Sequence, residues 1–470
     1  MKPEDIPDVI IYKISVDGSN LGSRNCELVA LTPMNLPRGT CNPCSYHSIF
    51  PLMLHEGKET REHLKEIISQ LDPEMLELEN QADLPTHNKQ CTCTFKCCAD
   101  FFALIKIMRP AKDEILEDGS KATSCTCALC GERRTTKVSN NREETRNPGW
   151  CSDLTQNVWN SIPTSSLQSS LFRRMPLNFF VFCILHMKVR VMGTLLKYLT
   201  RECERKGTAH SIAKEMRHIV RTFNITLKGD TIKSTGKKNT KAAKVSAMQG
   251  GQVDKIFECI RAHTMLEEER DEGEQEKARL WDQVLDATDL AADDTDTQVL
   301  AHFQECFSKL VQCYDLLNSK SAVTHAQLET YQILINELAK IWGERHGLVS
   351  VTPYLHIMFK HSYAYLKEYG SLRDWSQEAF EASHKRHKQL YAKTNYGGGK
   401  NGDPSSAFLQ VLQKLYRRQF LERKIQLERS STRDVYKQYM SAYRERGTRR
   451  AHKIVVRKSR AKKKAARAQR

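Results

Sequence analysis

The stretch 8–35 constrains the fold more than any other part of the chain. Val9-Ile-Ile-Tyr-Lys-Ile-Ser-Val16 and Glu27-Leu-Val-Ala-Leu-Thr32 are rich in β-branched and aliphatic residues. Asp17-Gly18 and a polar turn separate them, so the pair reads as two strands opening a sheet. A third apolar run, Tyr46 to Leu54, precedes Lys58 to Leu71, where Ile67, Ile68 and Leu71 recur at helical spacing among charges. After a polar loop through Pro85 and Asn88 comes Cys93 to Met108, an apolar segment broken by a single acidic residue, Asp100. Strands followed by a helix and a further strand-like run predict a fold of the α/β class.

Downstream, the pattern changes. Arg109 to Ser165 is rich in Cys, Gly, Asn, Thr and charge, and reads as a loop region that needs a staple to stay ordered. Helical periodicity returns over Leu185 to Leu199 and continues from about Lys206 to Ile341. It is broken there by a basic Gly/Thr/Lys segment, Lys228 to Lys244, and an acidic one, Leu266 to Thr297. A last helical block, Tyr354 to Lys393, ends before Gly397-Gly-Gly399, and Arg446 to Arg470 is nearly a run of Lys and Arg. The expected organisation is a first core segment at 1–205, a mainly helical insertion with flexible parts at 206–345, a helical block completing the core at 346–400 and a basic helical tail at 401–470.

Lys and Arg number 73 against 56 Asp and Glu, a formal charge of +17, which favours a polyanionic partner, nucleic acid first, over an acidic small molecule. A solvated basic tail is the plainer account of the same excess. The start, Met1-Lys-Pro-Glu-Asp-Ile6, does not read as a signal peptide, so the 16 cysteines are expected as reduced thiols, some bound to metal. The most apolar stretch, Leu177 to Met192, is interrupted by His186, Lys188 and Arg190 and is too short to cross a bilayer, so no membrane association is expected.

Two sets of residues could carry chemistry. Cys127-Ala-Leu-Cys130 and His356-Ile-Met-Phe-Lys-His361 together offer two thiolates and two imidazoles, a donor set that suits tetrahedral zinc. Five positions is a poor same-face spacing on an α-helix, so the histidines would have to converge through a helix end. Without zinc they are ordinary residues of an amphipathic helix. A second zinc on Cys41 and Cys44, or on Cys91 and Cys93, stays open. The other set is acidic: Asp17 ends one apolar strand, Asp100 lies in another, and Glu381 sits in Trp375-Ser-Gln-Glu-Ala-Phe-Glu-Ala-Ser-His-Lys385, which reads as helical. Isolated buried acids are costly unless paired or bound to metal, and three carboxylates suit a pair of Mg²⁺ or Mn²⁺ ions. Taken singly, each also reads plainly, as a turn Asp, a satisfied buried acid and a solvated helix charge.

The order of these features resembles the transposase-derived DDE families, and more distantly the Transib transposases and the catalytic subunit of the V(D)J recombinase. Lys13-Ile-Ser-Val-Asp-Gly18 is similar to the family's first-Asp strand, Cys98-Ala-Asp-Phe-Phe-Ala-Leu-Ile105 to its second, and Phe380-Glu-Ala-Ser-His-Lys385 to its Glu helix. The CxxC, the helical insertion and the HxxxxH pair fall between them in the family's order. Leu185-His-Met-Lys-Val-Arg190 also resembles a family segment, but one usually led by an Asp where this chain has Cys183. The resemblance implies an RNase H-like mixed-sheet core with a large helical insertion and a zinc-stapled loop. It further implies DNA nicking and strand transfer by Asp17, Asp100 and Glu381 with Mg²⁺, zinc on Cys127, Cys130, His356 and His361, and a nuclear location.

DNA is the expected partner, with phosphate contacts from Arg449, Arg450, Lys462, Lys463 and Lys464; a homodimer is left open. Because the first catalytic strand comes so early, the expectation is a truncated or domesticated copy in which activity can have been lost. The rivals are a non-catalytic zinc-stabilised nucleic-acid-binding or scaffold protein and, if the three carboxylates lie apart, an unrelated zinc-binding helical protein.

Overall fold

The computed structural model describes residues 3–21, 24–37, 41–57, 59–84, 89–109, 127–130, 170–226, 244–290, 294–347, 350–392, 409–417 and 421. The chain divides into two units, Met1–Ala392 and Lys393–Arg470. In the second, only the helical stretch 409–417 and residue 421 are described. Arg449, Arg450, Lys462, Lys463 and Lys464 therefore lie outside the described residues, as do Cys125 and Cys151.

The first unit is mixed α/β, built on a six-stranded mixed sheet. β1 (Val9–Leu21), β2 (Arg24–Pro33) and β3 (Phe50–Glu56) form an antiparallel meander. β4 (Ala82–Leu84) runs antiparallel to the start of β5 (Lys89–Ala99). β5 lies parallel to β1, with Ser15 opposite Cys98 and Val16 opposite Ala99, and β6 (Phe180–Phe182) is parallel to the end of β5. The period of two along β1 sorts its residues. Ile10, Ile14 and Val16 join the main hydrophobic core, while the alternate residues Lys13, Ser15 and Asp17 point to the opposite face.

Between β3 and β4, α1 (Arg61–Asn80) buries Leu64, Ile67, Ile68, Leu71 and Met75, one stripe of a 3.6-residue repeat. Thr60 caps it by accepting from the His63 N–H. The stripe carries the helix past Leu71, where sequence patterning would end it, and through Pro73.

The apolar run from Cys93 to Met108 is two elements rather than one strand. β5 stops at Ala99 and α2 (Phe101–Met108) begins at once, with Asp100 as its N-cap accepting from the Ala103 N–H at 2.6 Å. Cys97, Cys98, Ala99 and Phe101 are all buried, and so short a buried stretch carries no period that separates strand from helix. The change of element is marked only by the acid, which satisfies a helix-end donor.

After β6 come α3 (Ile184–Lys206), ended by the left-handed Gly207, and α4 (Ala209–Ile219). A short pair, β7 (Ile225–Thr226) and β8 (Lys244–Val245), flanks the basic segment, most of which lies outside the described residues. α5 (Gly250–Thr264), α6 (Glu272–Asp286), α7 (Asp294–Leu317) and α8 (His325–His346) complete the helical part. Inside the acidic stretch, α6 is capped by Asp271 and Glu274 and buries Ala278, Trp281, Val284 and Leu285. Then α9 (Pro353–His356), a π-helical turn (Ile357–His361) and α10 (Ser362–Tyr369) run on as one rod, and a turn through Trp375 leads into α11 (Glu378–Ala392). Ala379 and Phe380 of α11 pack on Leu28 and Ala30 of β2, so α11 covers the sheet face to which Asp17 belongs. No helix among the described residues is long and apolar enough to cross a membrane.

Candidate functional site

Cys127, Cys130, His356 and His361 converge, although more than 220 residues separate the two motifs. The Cys127 Sγ to His361 Nε2 and Cys130 Sγ to His356 Nε2 distances are both 3.3 Å, and the two Nε2 atoms are 3.1 Å apart. All four donor atoms lie within 4.8 Å of one another. Zinc bonds of about 2.3 Å to sulfur and 2.0 Å to nitrogen imply tetrahedral edges of roughly 3.3–3.8 Å, and these three edges stand within a few tenths of an ångström of that range.

The histidines do not meet through a helix end. On an α-helix, residues five apart point about 140° away from each other. Here the π turn removes that offset: the Ser362 N–H donates to the Ile357 carbonyl five residues back, and in this geometry residue i+5 comes to lie over residue i. Burial lowers His361 to about 4, leaving a neutral imidazole suited to metal. Hydrogen bonding from Cys127 and the two imidazoles holds the Cys130 thiol far below its ordinary range, giving the group thiolate character.

The CxxC turn is braced from behind by Arg109, which donates from Nε to the Ala128 carbonyl at 2.9 Å and from its terminal nitrogen to the Leu129 carbonyl at 3.4 Å. Such support orients the ligands. Arg109→Leu is expected to weaken zinc binding about 10–100-fold, measured by competition with a chromogenic chelator; an unchanged affinity would remove this role.

The second constellation lies where the parallel pairing of β1 with β5 ends, at Val16 and Ala99. Asp17 does not end its strand as the sequence suggested, because β1 runs on to Leu21 paired with β2; it is the first residue past the parallel ladder, as Asp100 is on the β5 side. Glu381, in the first turn of α11, reaches the same place from above. Asp17 senses the other two. Burial chiefly, then the charges of Asp100, Glu381 and Glu59, push the Asp17 carboxyl up to about 7 against the opposing pull of His186. His186, on α3, donates from Nε2 to Glu381 Oε1 at 3.2 Å, and this bond holds Glu381 below the usual carboxylate range. Burial works against a proton on His186, but Cys183, Glu381 and Asp100 outweigh it and lift the group to about 11. His384, one turn beyond Glu381, places Nδ1 3.6 Å from Asp17 Oδ2.

Asp17, Glu59, Asp254, Glu378 and Glu381 line an open cleft of about 1000 Å³, with Lys385 and Lys388 on its α11 side. Lys188, almost fully buried, crosses beneath this wall. Its Nζ meets Asp254 Oδ1 of α5 at 2.6 Å and Glu378 Oε1 of α11 at 3.2 Å, 4.9 Å from the centre of the Tyr314 ring. The insertion and the Glu381 helix are thereby tied to one cation.

The four thiol and imidazole donors thus form one compact group, whereas Asp17, Asp100 and Glu381 meet only through their charges, and Asp100 is not among the residues lining the cleft. The other thiols stay outside that group. Cys44 donates to Asp374 Oδ1 at 3.2 Å, Cys41 to the Pro33 carbonyl and Cys91 to the Ala82 carbonyl. Among the described residues no second metal-type cluster forms. Sequence reading passed over the roles of His186, Lys188, Gln377 and His384. His186 and Lys188 did carry a signal, since charges that interrupt an apolar run must find partners when the run is buried. Compared with protein-family models and with curated proteins, the chain matches none.

Proposed function

We propose that this chain is a transposase-derived catalytic core of RNase H-like type, which nicks DNA and transfers strands using Asp17, Asp100 and Glu381. One observation carries the reading: Asp17 and Asp100 each stand just past the end of the parallel pairing of β1 with β5, beneath a helix that supplies the third acid. Carboxyl ends of parallel strands are where such sheets open a crevice for ligands. The donor set also fits the ions the chemistry needs. These are hard oxygens, and the charges of Asp100 and Glu381 add to burial in raising the Asp17 carboxyl, a cost that a cation would relieve. Two Mg²⁺ ions, or Mn²⁺, held there would activate the attacking oxygen and stabilise the leaving oxygen of a phosphodiester. The protein's own part is to hold three carboxylates in register, with His186 fixing Glu381, and to meet the phosphates with Lys385, Lys388 and the basic tail. The Cys/His cluster would hold a structural zinc, pinning the 127–130 turn to the rod that leads into α11.

Incubation of the full chain with supercoiled plasmid and Mg²⁺ is expected to give nicked circles, and Glu381→Gln to slow nicking by about 10³-fold. Plasmid left intact in both Mg²⁺ and Mn²⁺, or cut equally by the variant, would overturn the proposal. A rival reading has one observation in its favour: Cys183, not an acid, ends β6 beside the cleft. On that reading the protein binds DNA in a salt-sensitive way without cutting it, and the same assay separates the two.

A further inference from the structure

The residue that bridges β1, β5 and the residue following β6 is not an acid. Gln377 is fully buried in the turn just before α11. Its Nε2 donates to the Cys98 carbonyl of β5 at 2.9 Å and to the Val16 carbonyl of β1 at 3.4 Å. Its backbone N–H donates to Cys183 Sγ, at the end of β6, at 3.4 Å. Its own carbonyl accepts the Glu381 N–H at 2.8 Å. Val16 immediately precedes Asp17, and Cys98 stands two residues before Asp100. One side chain therefore spans the strands carrying the first two acids, and one helical turn joins it to the third.

We infer that Gln377 is a positioning residue which sets the spacing of Asp17, Asp100 and Glu381, and so their affinity for divalent metal. This rests on the carboxylate reading above. Few residue types fit the place. A primary amide offers two donors on one nitrogen without charge, which is what two converging carbonyls require. Methionine has nearly the same length and no donor. Glutamate has the same shape but, when ionised, presents only acceptors to two carbonyl oxygens. Asparagine is one methylene too short to reach both strands from the same backbone position.

A glutamine that only filled space would affect folding alone, so the test reads metal affinity apart from folding. Mn²⁺ is titrated calorimetrically into the full chain as wild type, Glu381→Gln, Gln377→Met and Gln377→Glu, with zinc content and circular dichroism as controls for folding. The expected result is Mn²⁺ binding by the wild type that Glu381→Gln weakens. Gln377→Met should lose at least tenfold in Mn²⁺ affinity with zinc content and helicity unchanged. Should the methionine variant not fold, Gln377→Glu decides, with the same loss expected. A folded Gln377 variant that binds Mn²⁺ as tightly as wild type overturns the inference and leaves the carboxylate reading standing. Wild type that binds no Mn²⁺, or binds it equally after Glu381→Gln, refutes the carboxylate reading itself, and the positioning role falls with it.

Discussion

Asp100→Asn is expected to abolish DNA nicking, by about 10³-fold or more, while leaving the melting temperature within a degree or two of wild type. The size follows from removing a ligand charge from a two-ion site, where lost transition-state stabilisation of roughly 4 kcal/mol is a thousandfold in rate. The choice of asparagine follows from what else Asp100 does. Its Oδ1 accepts the Ala103 N–H and starts α2, a helix buried through Phe101, Leu104 and Ile107. Asp100→Ala would remove the cap as well as the ligand and cost about 1 kcal/mol of stability, confounding a loss of activity with a loss of fold. Asparagine caps as well as aspartate does and carries no charge. Plasmid nicking and thermal unfolding measured on one preparation separate the two roles. If the asparagine variant still nicks at the wild-type rate, Asp100 is a helix cap and nothing more, and its neighbour Asp17 loses its partner in the proposed site.

That double role explains how much of the site was legible in the sequence. Asp17 and Asp100 stood out because each was the lone acid of an apolar run, and an acid buried with its run needs a reason. The same runs gave β1 and β2, which β-branched and aliphatic residues bounded by a turn mark as strands although both faces are buried. They hid the join between β5 and α2, where Cys97, Cys98, Ala99 and Phe101 are all buried and no period survives. His356 and His361 were legible as ligand types but not as a pair, because their spacing suits a π turn and local sequence gives no sign that the helix will widen there. Gln377, His186 and Lys188 were hidden for another reason. Their partners lie between 66 and 361 residues away in the chain, and only the folded sheet brings them together. What sequence showed was chemistry that was locally out of place; what it withheld was the support built from distant residues.

Cys127→Ser should be the most damaging single change for stability. The cluster joins a four-residue turn, 127–130, to the π turn, and immediately beyond the latter Tyr365 donates to the Phe180 carbonyl of β6 and packs edge-on against Phe182. Removing one thiolate from a tetrahedral donor set leaves three, in a site whose other members are buried and would then have to be hydrated or left unpaired. Loss of a structural metal belongs to the small class of changes that cost about 4 kcal/mol or more, and the unfolded chain has no preformed site to share the loss. The variant is expected to be purified with little zinc and to melt well below wild type. A strong chelator should bring the wild type down to the same melting temperature and leave the variant where it is, because both treatments remove the same ion. Nicking should fall in parallel, since the rod carrying His361 leads through the Trp375 turn to Gln377 and Glu381. Equal zinc content and equal melting in the two proteins would mean that the four donors hold no metal. The imidazole pair would then be a buried N–H···N hydrogen bond between neighbouring turns of one helix, and the 127–130 turn would be held by Arg109 and by the burial of Ala128 and Leu129 in the core.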